Sequence, residues 1–250
     1  MGKKYSEVKH EDKFHEALSK AWDHVQGYAL PAGIAAGLLL VSVIVWMVVA
    51  QHRRSGIERV AAERFEIGRR YADIDTSDEQ KAKEQSAKQL AELEDFAARH
   101  QGSDVAAVTL LEVARQHLTL AEAVRGTDPD AAEDHLKRAA KAAEQFLADY
   151  PEHPHVAQAH YDAGKARLDL KQYERAARHF EEARHTDIAF LATLAQFHAG
   201  LCYEKSGELA KARAAFETVR DSKGFDGYPT WCADQAEFHL TRLGRTPEDS

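Results

Sequence analysis

The sequence predicts an all-α protein, one N-terminal transmembrane helix followed by an α-solenoid of paired helices. Three observations carry this reading. Tyr28 to Ala50 is an apolar run of 23 residues in which Ser42 is the only polar side chain. Ala159, Ala163, Gly164, Ala176 and Phe180 recur at one offset of 36 residues as Ala195, Ala199, Gly200, Ala212 and Phe216. The six prolines of the 250-residue chain sit mostly in a few joints, as suits a helical protein.

A short amphipathic segment comes first, residues 1–27. Phe14, Leu18, Ala21, Trp22 and Val25 fall at helical spacing against Lys13, Glu16, Lys20 and Asp23. It reads either as a helix on the membrane surface or as an extension of the anchor helix. Residues 28–50 are the anchor. At about 1.5 Å per residue they span roughly 34 Å, enough for a bilayer core of about 30 Å. No charge lies between Asp23 and Arg53, and Trp22 and Tyr28 stand near one boundary. A cleaved secretory signal ending at Val48-Val49-Ala50 is the rival, but the run is too long and follows a 27-residue polar segment. Gly33 and Gly37 form a GxxxG motif, which brings membrane helices into close contact, as in a homodimer, or is simply tolerated in lipid.

Residues 51–74 extend a helical stripe through Ile57, Val60, Ala61, Phe65 and Tyr71. Ser77 to Gln80 reads as a capping box opening a helix over 78–100. Gln101-Gly102-Ser103 breaks it, and Ser103 caps a helix through Val124. Asp128-Pro129 opens the next, to about Asp149, with proline at the first helical position. Tyr150 to Pro154 is a joint. Phe96-Ala97-Ala98-Arg99-His100 and Phe146-Leu147-Ala148-Asp149-Tyr150 are alike, each at a helix end, so residues 75–154 read as degenerate helix pairs. Residues 155–244 hold the clear repeats, as pairs 155–170/172–185 and 188–206/208–220. A loop from Ser222 to Tyr228, a last helix over 229–243 and a tail, 245–250, follow.

A period in this range marks an array in which each unit stacks on its neighbour to bury its apolar face. The pattern Gly164, Arg167, Tyr173, Ala176, Phe180 and its echo Gly200, Tyr203, Leu209, Ala212, Phe216 resembles the tetratricopeptide repeat (TPR). Gly207 sits at that family's inter-helix turn; Lys171 replaces the turn glycine in the preceding unit, and His160 and Gln196 replace the usual aromatic. The layout of charged N-terminus, single span and TPR-like domain resembles the ancillary subunit of the bacterial SecYEG translocon (the YfgM type). More loosely it resembles the envelope TPR protein that works with the Tol–Pal system, through the phrase Phe146 to Pro154. That resemblance implies a single-pass inner-membrane protein with a periplasmic TPR domain, acting in protein export or envelope assembly on a protein partner or client polypeptide.

By the same alignment, the concave groove is lined by Tyr161, Lys165 and Leu168 in one unit and Leu194, Phe197 and Leu201 in the next, suiting an apolar client segment. The family's clamp for acidic tails needs Lys and Asn, and only Lys165 qualifies. The alternative is that the final helix, with Trp231 and Phe238, covers this strip.

Orientation divides the indications. Lys9, Lys13 and Lys20 precede the span, whereas Arg53, Arg54, Arg59, Arg64, Arg69 and Arg70 follow it, which favours a cytoplasmic domain. The resemblance implies the opposite, and the expectation follows the resemblance; a cytoplasmic-facing membrane adaptor is the alternative.

Chemistry is sparse. There is no GxSxG, Walker loop, HExxH or CxxC, so neither an enzyme nor a cofactor is expected. His153, His155 and His160 are the only local histidine cluster, and two of them belong to a proline joint that explains them without a metal. Residues 1–50 balance five lysines with five acidic residues, leaving the net charge of −8 on the rest, which excludes a nucleic-acid partner. Cys202 and Cys232 permit one disulfide or are two small buried thiols. Three functions follow: a scaffold gripping a protein partner, a structural spacer or homo-oligomer with a self-filled groove, and an enzyme lacking any local signature.

Overall fold

The computed structural model describes residues 5–72, 79–222 and 230–244, and within them the side chains of 15–20, 22, 38–52, 54–72, 80–222 and 231–244. Ser77 and Asp78 of the expected capping box and most of the loop at 222–228 fall outside what is described. Among the described residues there are nine helices and no strand: α1 (Tyr5–Arg70), α2 (Glu79–Arg99), α3 (Asp104–Val124), α4 (Pro129–Asp149), α5 (Val156–Asp169), α6 (Tyr173–Ala183), α7 (Ala189–Ser206), α8 (Leu209–Asp221) and α9 (Thr230–Gly244). The chain divides into two compact units, Met1–Arg59 and Val60–Ser250.

One helix, α1, runs through the segments expected as surface helix and anchor and through the juxtamembrane segment as far as Arg70. Nothing in its described part competes with the helix. The Ser42 hydroxyl donates to the Leu38 carbonyl at 2.8 Å and that of Ser55 to His52 at 2.9 Å, so both polar side chains are satisfied within the helix. From Leu38 to Val49 every side chain is exposed, Leu39, Trp46 and Val48 by more than 60 %. An uninterrupted apolar surface of this kind is foreign to water. The helix is long and apolar enough to cross a membrane.

The second unit is a solenoid. Its helices pack in chain order from α2 to α9, and the first helix of each pair also touches the next such helix, α3 to α5, α5 to α7 and α7 to α9. One device recurs. Phe96 of α2, Phe146 of α4, Phe180 of α6 and Phe216 of α8 are all fully buried near the end of the second helix of a pair. Phe96 is enclosed by Ile67 of α1, Leu90, Leu93 and Val113; Phe146 by Ala107, Leu110, Leu111 and Ala159. Each such burial contributes about 2–3 kcal/mol. In the two clear repeats the ring lies on a glycine. A Cβ on Gly164 would stand 2.8 Å from the Phe180 ring, and one on Gly200 2.8 Å from Phe216, closer than any real methyl sits. The two likened phrases also match in three dimensions. His100 N–H donates to Phe96 at 3.1 Å and Tyr150 N–H to Phe146 at 2.9 Å.

The expected caps form. Ser103 Oγ accepts from Ala106 N–H at 3.1 Å and Asp128 Oδ1 from Ala131 N–H at 3.0 Å, each satisfying a donor the first turn leaves open. The joints are tied together, since Gly102 N–H donates to the Tyr150 hydroxyl at 2.8 Å. Gly207 ends α7 at φ 82°, and Lys171, in the glycine's place one unit earlier, takes φ 60° all the same. Glycine enters that left-handed region freely, whereas a lysine is strained there.

Candidate functional site

The first helices of successive pairs, α3, α5 and α7, touch one another along the array, and polar contacts tie them together. Asp162 of α5, 4 % exposed, accepts from Arg115 Nε of α3 at 3.1 Å and from Gln158 Nε2 at 3.0 Å. Burial pushes the Asp162 carboxyl above its ordinary range, against the pull of the Arg115 charge and the two hydrogen bonds. Arg125 reaches Asp169 at 2.8 Å, a second tie from the end of α3 to α5. Towards the N-terminal side, Arg64 of α1 pairs with Glu112 of α3, and Arg70 with Glu92 of α2 at 2.9 Å.

Between these elements opens a cavity of about 590 Å³, lined by Ser86 of α2, by Val108, Leu111, Glu112 and Arg115 of α3, and by His155 at the start of α5. Its lining joins apolar Val108, Leu111 and Leu120 to His155 and to Glu112 and Arg115, the last two already paired. It suits a bulky apolar side chain entering from solvent, as an anchor of a bound segment does. Sequence comparison missed it because α3 lies upstream of the two units that align. Exposed Val108, one turn before Glu112 and two before Arg115, was the available signal.

None of the six expected groove residues lines this cavity. Tyr161 and Leu168 are half-buried against the cluster around Phe180; Leu194 and Leu201 are half-buried against the cluster around Phe216. Lys165 is half-buried, near His198. Of the six, Phe197 alone is buried. It is 5 % exposed and lies beneath α9 with Cys232, Ala236 and Leu240, its ring 5.9 Å from that of Trp231, so here it is a packing residue and not an open lining. The covering helix uses one face for this. Trp231 remains 46 % and Phe238 60 % exposed. Gly33 and Gly37 lie on α1 outside the stretch whose surroundings are described.

The histidine cluster is dispersed. His153 Nδ1 accepts from the His155 N–H at 3.2 Å, with its ring edge-on to Phe146, while His160 faces His179. Among the described residues no three His, Cys, Asp or Glu side chains could hold a metal ion together. Cys202 and Cys232 are free thiols, buried in different clusters. Burial drives the Cys202 thiol up to about 12 and raises that of Cys232, so both stay protonated and unreactive near neutrality.

A tetratricopeptide repeat family model matches residues 194–222, which cover α8 and most of α7. The chain carries a TPR-type repeat. No curated protein matches it in sequence. Repeats of this type are protein-interaction modules, and the fold built on this one is an all-α solenoid of TPR-like helix pairs.

Proposed function

We propose that the protein is a membrane-anchored TPR scaffold that holds a protein partner or client at the bacterial inner membrane, in protein export or envelope assembly. The observation that carries this is the juxtaposition, in one chain, of a bare apolar helix long enough to cross a bilayer and a solenoid that keeps a cavity of about 590 Å³. The TPR domain faces the periplasm in this reading. Arg64 and Arg70, counted among the charges beside the span, have a structural reason for their presence in Glu112 and Glu92. The partner docks at the α2–α3 end. The other end is filled by α9, and that is the part of the groove the chain supplies for itself.

A photoreactive side chain at Val108, in intact membranes, is expected to crosslink a partner identifiable by mass spectrometry. The same probe at Leu209, exposed on α8, is the control. Equal yields from the two positions would overturn the docking assignment. For the groove residues, Phe197→Ala is expected to lower stability by about 3 kcal/mol, as for other buried aromatics. Weakened capture at unchanged stability would restore Phe197 to the binding surface.

A further inference from the structure

We propose that two histidine pairs in the α3–α6 stretch form a proton-operated joint, holding their helix crossings while at most one imidazole of each pair is charged and loosening them when both are. His117 of α3 and His135 of α4 face each other Nδ1 to Nδ1 at 2.9 Å; His160 of α5 and His179 of α6 do the same at 3.1 Å. Such a contact needs one N–H and one lone pair. A neutral or singly protonated pair supplies both. A doubly protonated pair places two N–H donors and two positive charges about 3 Å apart.

The surroundings sharpen this. Glu94 of α2 accepts from His117 Nε2 at 2.8 Å, which leaves the neutral His117 with a lone pair at Nδ1 and makes His135 the donor. Asp134 and Arg138, beside His135 on α4, act on it with opposite signs. Around the second pair, Glu144 of α4 lies 3.5 Å from His179 Nε2 but is already held by Arg167 at 2.8 and 2.7 Å, and Glu182 of α6 faces both imidazoles. Each pair thus has a carboxylate to balance one imidazolium and an arginine against the second. Burial holds His135, His160 and His179 below their ordinary range. The separations are those of a hydrogen bond, and no third ligand joins either pair among the described residues. In the next unit the same positions are Gln196 and Ala215, so the device is confined to α3–α6.

In the unfolded chain both members of a pair take up a proton near pH 6.5, whereas the folded pair withholds at least one. Below that pH the closed form loses up to about tenfold per pH unit per pair. The first crossing belongs to α3, whose side chains line the cavity, so acid acts on the docking face itself.

Hydrogen–deuterium exchange of the full chain in detergent, at pH 7.5 and 5.5 and corrected for intrinsic rates, tests this. The readout is α4, which carries His135 and Glu144; α8 is the control, both read in a His198→Leu background so that the acid loss of α7 does not reach it. Protection of α4 is expected to fall about tenfold more than that of α8. In the double variant His135→Gln/His179→Gln, whose amides stay neutral, α4 should keep its protection at pH 5.5. An equal fall in α4 and α8 would overturn the proposal, as would an undiminished acid loss in the folded variant. So would a gain of α4 protection on adding Zn²⁺ at pH 7.5, which would make the pairs metal sites. If the double variant does not fold, the comparison of α4 with α8 in the His198→Leu chain decides alone.

Discussion

The pairs α5/α6 and α7/α8 are built on one lock and differ in what surrounds it. In both, a phenylalanine ring rests where a glycine has no side chain, and a histidine from the following helix stacks on that ring: His198 on Phe180 at 5.2 Å, His239 on Phe216 at 4.8 Å. The histidines then part company. His239 meets Glu204 at 2.8 Å, whereas the buried His198 meets the Leu194 carbonyl of its own helix at 2.8 Å and, among the described residues, no carboxylate. The turns differ too, glycine in one and strained lysine in the other. The lock is steric and penalises any side chain at the glycine, because a Cβ there meets the ring. The polar partners depend on the neighbour each pair happens to meet.

The largest effect tests whether the locks are equivalent. Phe180→Ala and Phe216→Ala should each cost about 3–5 kcal/mol in urea unfolding, as cavity formation at closed sites does. A cost below about 1 kcal/mol for Phe216→Ala alone would mean that α9 collapses onto the void, which an interior unit cannot do.

The second tests the histidines. Burial, against the pull of the Leu194 carbonyl, takes the His198 imidazole down to about 4 from 6.5. The unfolded chain therefore binds a proton below pH 6.5 that the folded chain refuses, so this stability is complete above pH 6.5 and lost as pH falls towards 4. At about 1.4 kcal/mol per unit the loss amounts to about 3 kcal/mol. His198→Leu should flatten that acid limb in a pH series of unfolding curves; an unchanged limb would assign it elsewhere. Asp162, which takes the same repeat position one unit earlier, acts with the opposite sign. Its raised carboxyl pKa favours the folded state as pH falls.

The third tests the glycines. Gly164→Ala and Gly200→Ala should each destabilise by about 1–3 kcal/mol although alanine is the better helix former, because the new methyl overpacks the ring. Combining Gly164→Ala with Phe180→Leu should cost less than the sum of the two, and strict additivity would disprove the contact. The smallest effect carries the opposite sign. Lys171→Gly should stabilise by up to about 1 kcal/mol by relieving the left-handed backbone, while Gly207→Ala should cost a similar amount.

The array was legible in the sequence where its causes are local. Ser103 and Asp128 cap the helices they precede because a hydroxyl or carboxylate three residues from an open N–H reaches it whatever the rest of the chain does. The 36-residue echo put Gly164 and Gly200, and Phe180 and Phe216, at equivalent positions, because equal spacing on equal helices brings equal residues together. Lys171 shows the limit. The repeat alignment placed it at the turn glycine's position, but lysine does not favour the left-handed region, and the two helices it joins impose that conformation.

By itself, then, the sequence determined the all-α class, the helix pairs, their joints and the apolar run, since periodicity, caps and length act within a few turns of chain. Tertiary structure alone decided which side chains stay open. Phe197 is buried because α9, more than thirty residues later, lies over it, and Val108 lines a cavity that no described helix fills. The histidine pairs belong to the same class. His117 and His135 stand eighteen positions apart, His160 and His179 nineteen, and only the crossing of two helices turns those distances in sequence into contacts of about 3 Å. Exposure and protonation are properties of what packs against a side chain, and that is settled only when the helices meet.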